Sequence, residues 1–371
     1  MHVLISGAGI AGLTGALGLG RRGHDVTVVE YADHFRLEGT PVDIRGEAIE
    51  TVDRMGLLEK IHAHRLQMSE SSRFVDADGA PVGRVPLADN GSDDIEILRE
   101  DLVRILADAL PDAVTIRFGD SIQTLTDDGD DVHVGFESGR TGRYDLVLGA
   151  DGQHSAVRSL VFGPEQDYLR HLGVYFALAN LPADVWSEHA NSIYNVPDRL
   201  AGIFRYKNKT VAVFEFRSEP LDYDHRDLEA QKQILLDAFA GHSSWKIPQL
   251  LDAARADPEF FFDAASQIHL PSWHRGRVAL IGDAGYCPAF LSGRGTSLAL
   301  TGAHFLAEEL QAGGQAHIAD LTAAFERYEA RQRPHVTFAQ GIVDRGRDHL
   351  LPATWAEIAA RNTRLQSSGH Q

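Results

Sequence analysis

The first thirty residues limit the possible folds more than any other stretch. Val3-Leu4-Ile5-Ser6 reads as a short buried strand, and Gly7-Ala8-Gly9-Ile10-Ala11-Gly12 as a glycine-rich turn. The segment to Arg22 reads as a helix, and Asp25 to Glu30 as a second apolar strand ending in an acid. Each piece has its own job. Gly7 permits the tight turn, Gly9 lets a pyrophosphate approach the backbone, and Gly12, with Ala11 beside it, lets helix and strand pack closely. The helix N-terminus offers free N–H groups and a positive dipole end to phosphates. Glu30 stands where a carboxylate can accept hydrogen bonds from a ribose diol. A glycine triplet alone is common in ordinary turns. Strand, turn, helix, second strand and acid in this order predict an adenine dinucleotide site, without saying which dinucleotide.

The rest of the composition narrows the class. A length of 371 residues suits two domains or one elaborated α/β domain. No apolar run approaches a membrane span, and the chain enters its first strand with no signal peptide. Cys287 is the single cysteine, which excludes an intrachain disulfide framework and fits a reducing, cytoplasmic setting. The net charge of −18 is dispersed, which argues against a nucleic-acid partner. No histidine, cysteine or carboxylate group has metal-ligand spacing, and Asp127 to Asp131 reads as a solvated hairpin tip. Monomer and homodimer both stay open.

Further along, Glu47 to Leu66 has helical spacing, with Ile49, Val52, Met55 and Leu58 on one face. Arg73 to Val85 reads as a hairpin around Asp78-Gly79, and Arg99 opens a helix that Pro111 stops. From Leu169 to His269 the chain is strand-rich and aromatic, with helical segments near Leu228 to Ala240 and Ile247 to Ala256. The first pattern returns at Val278 to Ile281, a buried strand, followed by Gly282-Asp283 and by Gly293-Arg294-Gly295 opening a helix. A last helical segment runs from about Ile318 through Gln340, and the tail after Asn362 reads as frayed. The expected division is a dinucleotide domain of residues 1–165 and 270–371, interrupted by a substrate domain of residues 166–269.

Three separated signatures carry a family resemblance: the N-terminal fingerprint, Gly149-Ala150-Asp151-Gly152 running on to Arg158, and Gly282-Asp283-Ala284 with Gly293 ten residues after the aspartate. Their order and spacing resemble the FAD-dependent group A aromatic monooxygenases typified by para-hydroxybenzoate hydroxylase. The compact length looks most like the tetracycline-inactivating and polyketide-modifying members. The resemblance implies an α/β fold, a GR2-type Rossmann-like FAD-binding domain interrupted by a mixed β-sheet that roofs the flavin, with a C-terminal helix.

It also implies site residues. Asp283 would meet the ribityl chain or pyrophosphate of FAD. Gly293, Arg294, Gly295 and Thr296 would set a helix N-terminus beside the flavin pyrimidine ring, whose reduced form is anionic. Arg99 would reach the FAD ribityl or phosphate, and Arg45 matches a mobile arginine near the flavin. Asp151 reads equally as a cofactor contact and as a cap, and Arg158 equally as a nucleotide contact and as a structural ion pair. For the substrate the resemblance points to Arg199, and the alternation of Phe214 and Phe216 with Val211 and Val213 would turn one set toward a cavity. Phe290 stands where the family commonly has proline, and Arg294 where it has glutamine.

The implied activity is hydroxylation of an electron-rich aromatic or polyketide-type small molecule. NAD(P)H is the transient reductant, O₂ the oxidant, and a flavin C4a-hydroperoxide the oxygen donor. Phe290 and Arg294 keep two alternatives open: an FAD-binding cyclase or isomerase, and a flavoprotein that sequesters a small molecule. No catalytic base is assigned.

Overall fold

The computed structural model describes residues 1–37, 40–66, 72–85, 93–182, 191–207, 209–225, 227–310, 317–343 and 350–368. The chain opens with β1 (His2–Ser6), α1 (Ile10–Arg21), β2 (Asp25–Glu30), β3 (Pro41–Ile44), α2 (Glu47–Arg54) and α3 (Leu58–Ala63). Next come β4 (Ser72–Val75), β5 (Pro81–Val85), β6 (Ile95–Leu98), α4 (Arg99–Asp108) and β7 (Val114–Phe118). β8 (Ile122–Asp127), β9 (Val132–Phe136) and β10 (Thr141–Tyr144) form a three-stranded antiparallel sheet, followed by β11 (Leu146–Gly149) and α5 (Ala156–Val161). The middle holds β12 (Leu169–Leu181), β13 (Ser192–Val196), β14 (Arg199–Tyr206), β15 (Lys209–Arg217), α6 (Leu228–Ala238), α7 (Ile247–Ala256) and β16 (Phe261–Ile268). The chain ends with β17 (His274–Arg275), β18 (Val278–Leu280), α8 (Asp283–Tyr286), α9 (Gly295–Glu309), α10 (Ile318–Gly341) and α11 (Trp355–Ser368).

Two compact units result. The first takes residues 1–65, 93–170 and 266–342. Its main sheet has the order β17-β18-β11-β1-β2-β7, with β17 the one antiparallel member. Register pairs Ser6 with Gly149 and Val29, and Gly149 with Leu280. The carboxyl ends of β1, β2, β11 and β18 therefore lie in one row, the edge where open α/β sheets bind ligands. α1 is buried from Ile10 to Gly20, so it is a core helix rather than an amphipathic one. Its glycines let α9 come close: a Cβ on Gly18 would lie 2.7 Å from Ala307 Cβ.

The second unit takes residues 66–92, 171–265 and 343–371. Its sheet runs β16-β12-β15-β14-β13-β4-β5. One face carries Tyr175, Ala177, Ala201, Ala212, Phe214 and Phe216, packed with Leu235, Phe239, Ile247 and Leu250 of the α6–α7 region. The compact unit extends past residues 166–269 for two reasons. β4 pairs in parallel with β13, and α11 returns to the same sheet, where Arg361 lies 3.6 Å from the Phe74 ring centroid and donates to Asn195 Oδ1 at 2.8 Å. That anchor also keeps α11 helical to Ser368, beyond the Asn362 where fraying was expected.

The helix expected over residues 47–66 divides into α2 and α3. Gly56 takes φ +68°, a left-handed conformation that ends α2. At the Asp127 to Asp131 tip, the Asp128 carboxylate accepts from the Asp130 and Asp131 N–H groups, as a turn-forming side chain does. Among the described residues no helix is long and apolar enough to cross a membrane.

Candidate functional site

The glycine-rich turn owes its shape to two collisions that glycine avoids. Gly7 has φ +104°, and a Cβ there would sit 2.5 Å from Ala150 O; a Cβ on Gly12 would sit 1.9 Å from Gly7 O. Gly9 is different, since a Cβ there would meet nothing within 4 Å. Its open side is the path to the first turn of α1, where no side chain caps the N–H groups. Glu30, buried at the end of β2, accepts from Ala8 N at 2.7 Å and Ala32 N at 3.1 Å. Those bonds hold the carboxylate beside the turn. Arg36 Nε lies 3.7 Å from Glu30, and Arg99, at the start of α4, donates to the Arg36 carbonyl.

The three signatures converge on this edge. Ala150 abuts Gly7 and Gly12, and a Cβ on Gly282 would lie 2.7 Å from Ala11 Cβ. Asp151 serves as a cap: it accepts from Ser155 Oγ, and from Val157 N at 3.1 Å. Burial pushes its carboxyl up despite those bonds. Arg158 is a structural ion pair, fully buried, bonded to Glu165 and donating to Ala284 O at 3.1 Å and Gln153 O at 2.6 Å. It ties α5 to the residue next to Asp283. Cys287 is buried, its thiol 3.4 Å from the Ser266 carbonyl.

Asp283 is exposed, although Ile281, Gly282 and Ala284 on either side are buried. A Cβ on Gly295 would lie 4.0 Å from Asp283 Oδ1, so the carboxylate stands at the start of α9. Thr296 is half-buried in that first turn, which has no side-chain cap. The loop before it takes a backbone that only glycine adopts easily: Gly293 has φ +61°, and Ala289 has φ +71° without being glycine. Ser292 Oγ donates to Ala289 O at 2.9 Å and accepts from Arg294 N at 3.1 Å, holding the strained loop closed. Half-buried Phe290 opens the turn between them.

β3 packs beside this loop. Arg45 N donates to Ser297 Oγ at 3.0 Å, and Ser297 Oγ donates to Asp43 O at 3.1 Å. The Arg45 guanidinium pairs with Asp43 at 2.9 Å and lies 3.6 Å from Asp94. Arg294 lies 4.9 Å from the Phe338 ring centroid. The Nε atoms of both arginines are buried without a hydrogen-bond partner, beside a cavity of about 170 Å³. Asp43 and Glu96 face each other across β3 and β6. Burial raises both carboxyls, and Asp43 helps push Glu96 up to about 7. The sequence gives no sign of this pair, of Ser297 or of strained Ala289, because each depends on strand register or loop closure.

Of the residues expected at the substrate, Phe290 stands in the loop before α9, and Arg199, Phe214 and Phe216 belong to the second unit. Phe214 and Phe216 face the α6–α7 core: Phe214 packs edge-on against Phe239, and Phe216 stacks on Tyr175. Arg199 pairs in register with Phe216 and shares its face. It donates to the Ala238 carbonyl at the end of α6 and to Pro197 O at 3.4 Å. Strand alternation places the three away from Val211, Val213 and Glu215, which form the other face.

The first unit therefore fits a flavin dinucleotide on its own features: an open approach at Gly9, two uncapped helix starts, an exposed carboxylate at α9 and two buried arginine nitrogens without a hydrogen bond. The known proteins agree. The FAD binding domain family model matches residues 1–340. The chain is 42% identical over 348 residues to the uncharacterized protein Rv1260 of Mycobacterium tuberculosis (strain ATCC 25618 / H37Rv), covering 92% of each. It is 37% identical over 341 residues to a flavin-dependent monooxygenase of Legionella longbeachae serogroup 1 (strain NSW150), covering 91% of this chain and 86% of the relative. The crystal structure of tetracycline destructase Tet(51) superposes with a TM-score of 0.86 at 34% identity, covering 99% of this chain and 96% of that one. With the family's cradle built from its own residues and its relatives matched along nearly the whole chain, the protein belongs to the FAD binding domain family and is a group A FAD-dependent monooxygenase.

Proposed function

We propose that the enzyme hydroxylates a polycyclic, polyketide-type molecule, using NAD(P)H and O₂. The observation that carries the reading is the exposed Asp283 carboxylate at the uncapped start of α9, next to the open approach at Gly9. The substrate class is supported by the 34% identity to tetracycline destructase Tet(51) over almost the whole chain. FAD, when bound, would supply the hydride-accepting and O₂-activating chemistry of the hydroxylation. The chain's own residues bind and orient. Gly7, Gly9 and Gly12 admit the pyrophosphate, Glu30 meets the ribose, and Asp283 the ribityl hydroxyls. The α9 N-terminus and Arg294 place positive charge by the flavin ring, where negative charge grows on reduction. Arg45 and Arg99 steady the cofactor from β3 and α4. The second unit receives the substrate.

The test is purified yellow protein with NADPH and tetracycline-like polycycles. Polycycle-stimulated consumption of NADPH and O₂, with a product heavier by one oxygen atom, is the expected result. An isomeric product with no NADPH consumed, or binding with no product, overturns the reading.

A further inference from the structure

The face of the seven-stranded sheet turned away from α6 and α7 carries the acid Glu215 on β15. Glu215 is 8% exposed, and its Oε2 is buried with no hydrogen-bond partner. In register it stands opposite Phe176 on β12 and Leu200 on β14. Leu178 and Gly202 are the next residues on that face, and Val213 and Arg217 flank it on β15. Arg217 is committed elsewhere, donating to the Leu351 carbonyl at 3.0 and 2.6 Å and lying 3.5 Å from Asp198. Burial alone acts on Glu215, with no charged group moving it, and pushes its carboxyl up to about 7. α11 covers the β13–β4 end of this face, where Arg361 holds Asn195 and lies over Phe74. Phe176 and Val213, next to Glu215, are only half-buried.

A buried carboxylate whose Oε2 has no hydrogen-bond partner is costly to keep charged unless something else pairs with it. We propose that Glu215 is the recognition group for a basic nitrogen of the substrate, its carboxylate pairing with an ammonium that rests against Phe176. The proposal rests on reading the second unit as the substrate-binding part of the enzyme, and it names the substrate class more narrowly: a polycycle carrying a protonated amine. The aromatic ring beside the acid adds cation–π attraction to the ion pair. A neutral analogue of the same shape would leave the acid desolvated and unpaired.

The probes are 1-naphthylmethylamine and 1-naphthylmethanol, which share a ring system and differ in the basic nitrogen. Their binding to the FAD-loaded enzyme is measured by calorimetry. At pH 8 the wild type should bind the amine at least about ten-fold tighter than the alcohol. Between pH 8 and pH 6 that preference should shrink about ten-fold, because protonation removes the carboxylate. Glu215→Gln should bind both probes alike at both pH values, and Glu215→Asp should keep a weaker preference for the amine. Equal binding by the wild type, no binding of the amine, or a preference that survives in Glu215→Gln each overturns the proposal. Should Glu215→Gln fail to fold, Glu215→Asp and the wild-type pH profile decide. Turnover is not read in this experiment. Failure of NADPH oxidation with polycycles counts against the hydroxylase reading, and failure of the amine preference counts against Glu215.

Discussion

The carboxyl edge of the six-stranded sheet and the Glu215 face of the seven-stranded sheet are made of different materials. The first is mostly backbone: glycines that permit close approach, helix starts with free N–H groups, and a strained loop tied by Ser292. The second is side chains on alternating strand positions, and what it offers depends on which residue falls on which face. A backbone site tolerates little change, because a single Cβ can fill it. A side-chain face can exchange one recognition group for another without disturbing the sheet. The comparison explains how enzymes of one cofactor can differ in substrate, and each of the following experiments can break it.

The largest effects should come from the glycines, and they should differ in kind. Gly12→Ala puts a Cβ 1.9 Å from the Gly7 carbonyl oxygen, so backbone must move, and the expected outcome is loss of folded protein. Gly9→Val places its side chain in open space and should leave a folded protein that is colourless. Circular dichroism and flavin absorbance on the same samples separate the two. A Gly9→Val protein that keeps its yellow colour would remove the backbone account of the edge. Phe214→Ala tests the other unit. Phe214 is fully buried against Phe239, and its loss should cost about 3–5 kcal/mol, with flavin content per folded molecule unchanged. Changed substrate preference at constant stability would return Phe214 to the pocket.

How much could be read beforehand follows the same line. The glycine fingerprint, Glu30, Asp283 and the Gly293–Thr296 turn have local spacing, so their places could be read from neighbouring residues. The face of Phe214 and Phe216 could not. Alternation says that two sets point opposite ways but not which set meets helices, and α6 and α7 come later in the chain. Arg199 went with Phe216 for the same reason. The Asp43–Glu96 pair joins strands about fifty residues apart in sequence, and only their register brings the acids together. Segment 73–85 reads as a hairpin, which β4 and β5 form, yet nothing local assigns it to the second sheet, because its partner β13 lies more than a hundred residues on.

The next effect in size is a pH dependence. An unfolded glutamate titrates near 4.5, and folded Glu215 near 7. Between those values the folded state binds the extra proton. Its contribution to stability is therefore fully present below about pH 4.5 and falls as pH rises through 7, by about 3 kcal/mol at most. Glu96 is shifted the same way and adds to the slope. Glu215→Gln should flatten part of the fall, seen as a smaller drop in urea midpoint from pH 5 to pH 8. An unchanged slope would mean that the acid is solvated or paired, and Glu215 would lose its claim to be a recognition group.

The smallest effect should belong to Asp283, and it asks whether the carboxyl edge is backbone alone. Its carboxylate is exposed and lies at the start of α9, so removing it opens no cavity and breaks no core packing. Asp283→Ala should leave the melting temperature of the flavin-free protein unchanged and weaken FAD retention about ten-fold, roughly 1.4 kcal/mol. Asp283→Asn keeps a hydrogen-bond acceptor of the same size and should recover part of that loss if ribityl hydroxyls are what it meets. A charge effect would behave differently. The positive ends of α1 and α9 already favour an anionic cofactor, so a carboxylate repelling the pyrophosphate would make Asp283→Asn bind FAD more tightly than the wild type. The sign of the asparagine variant thus tells whether Asp283 holds the ribityl chain or only borders it.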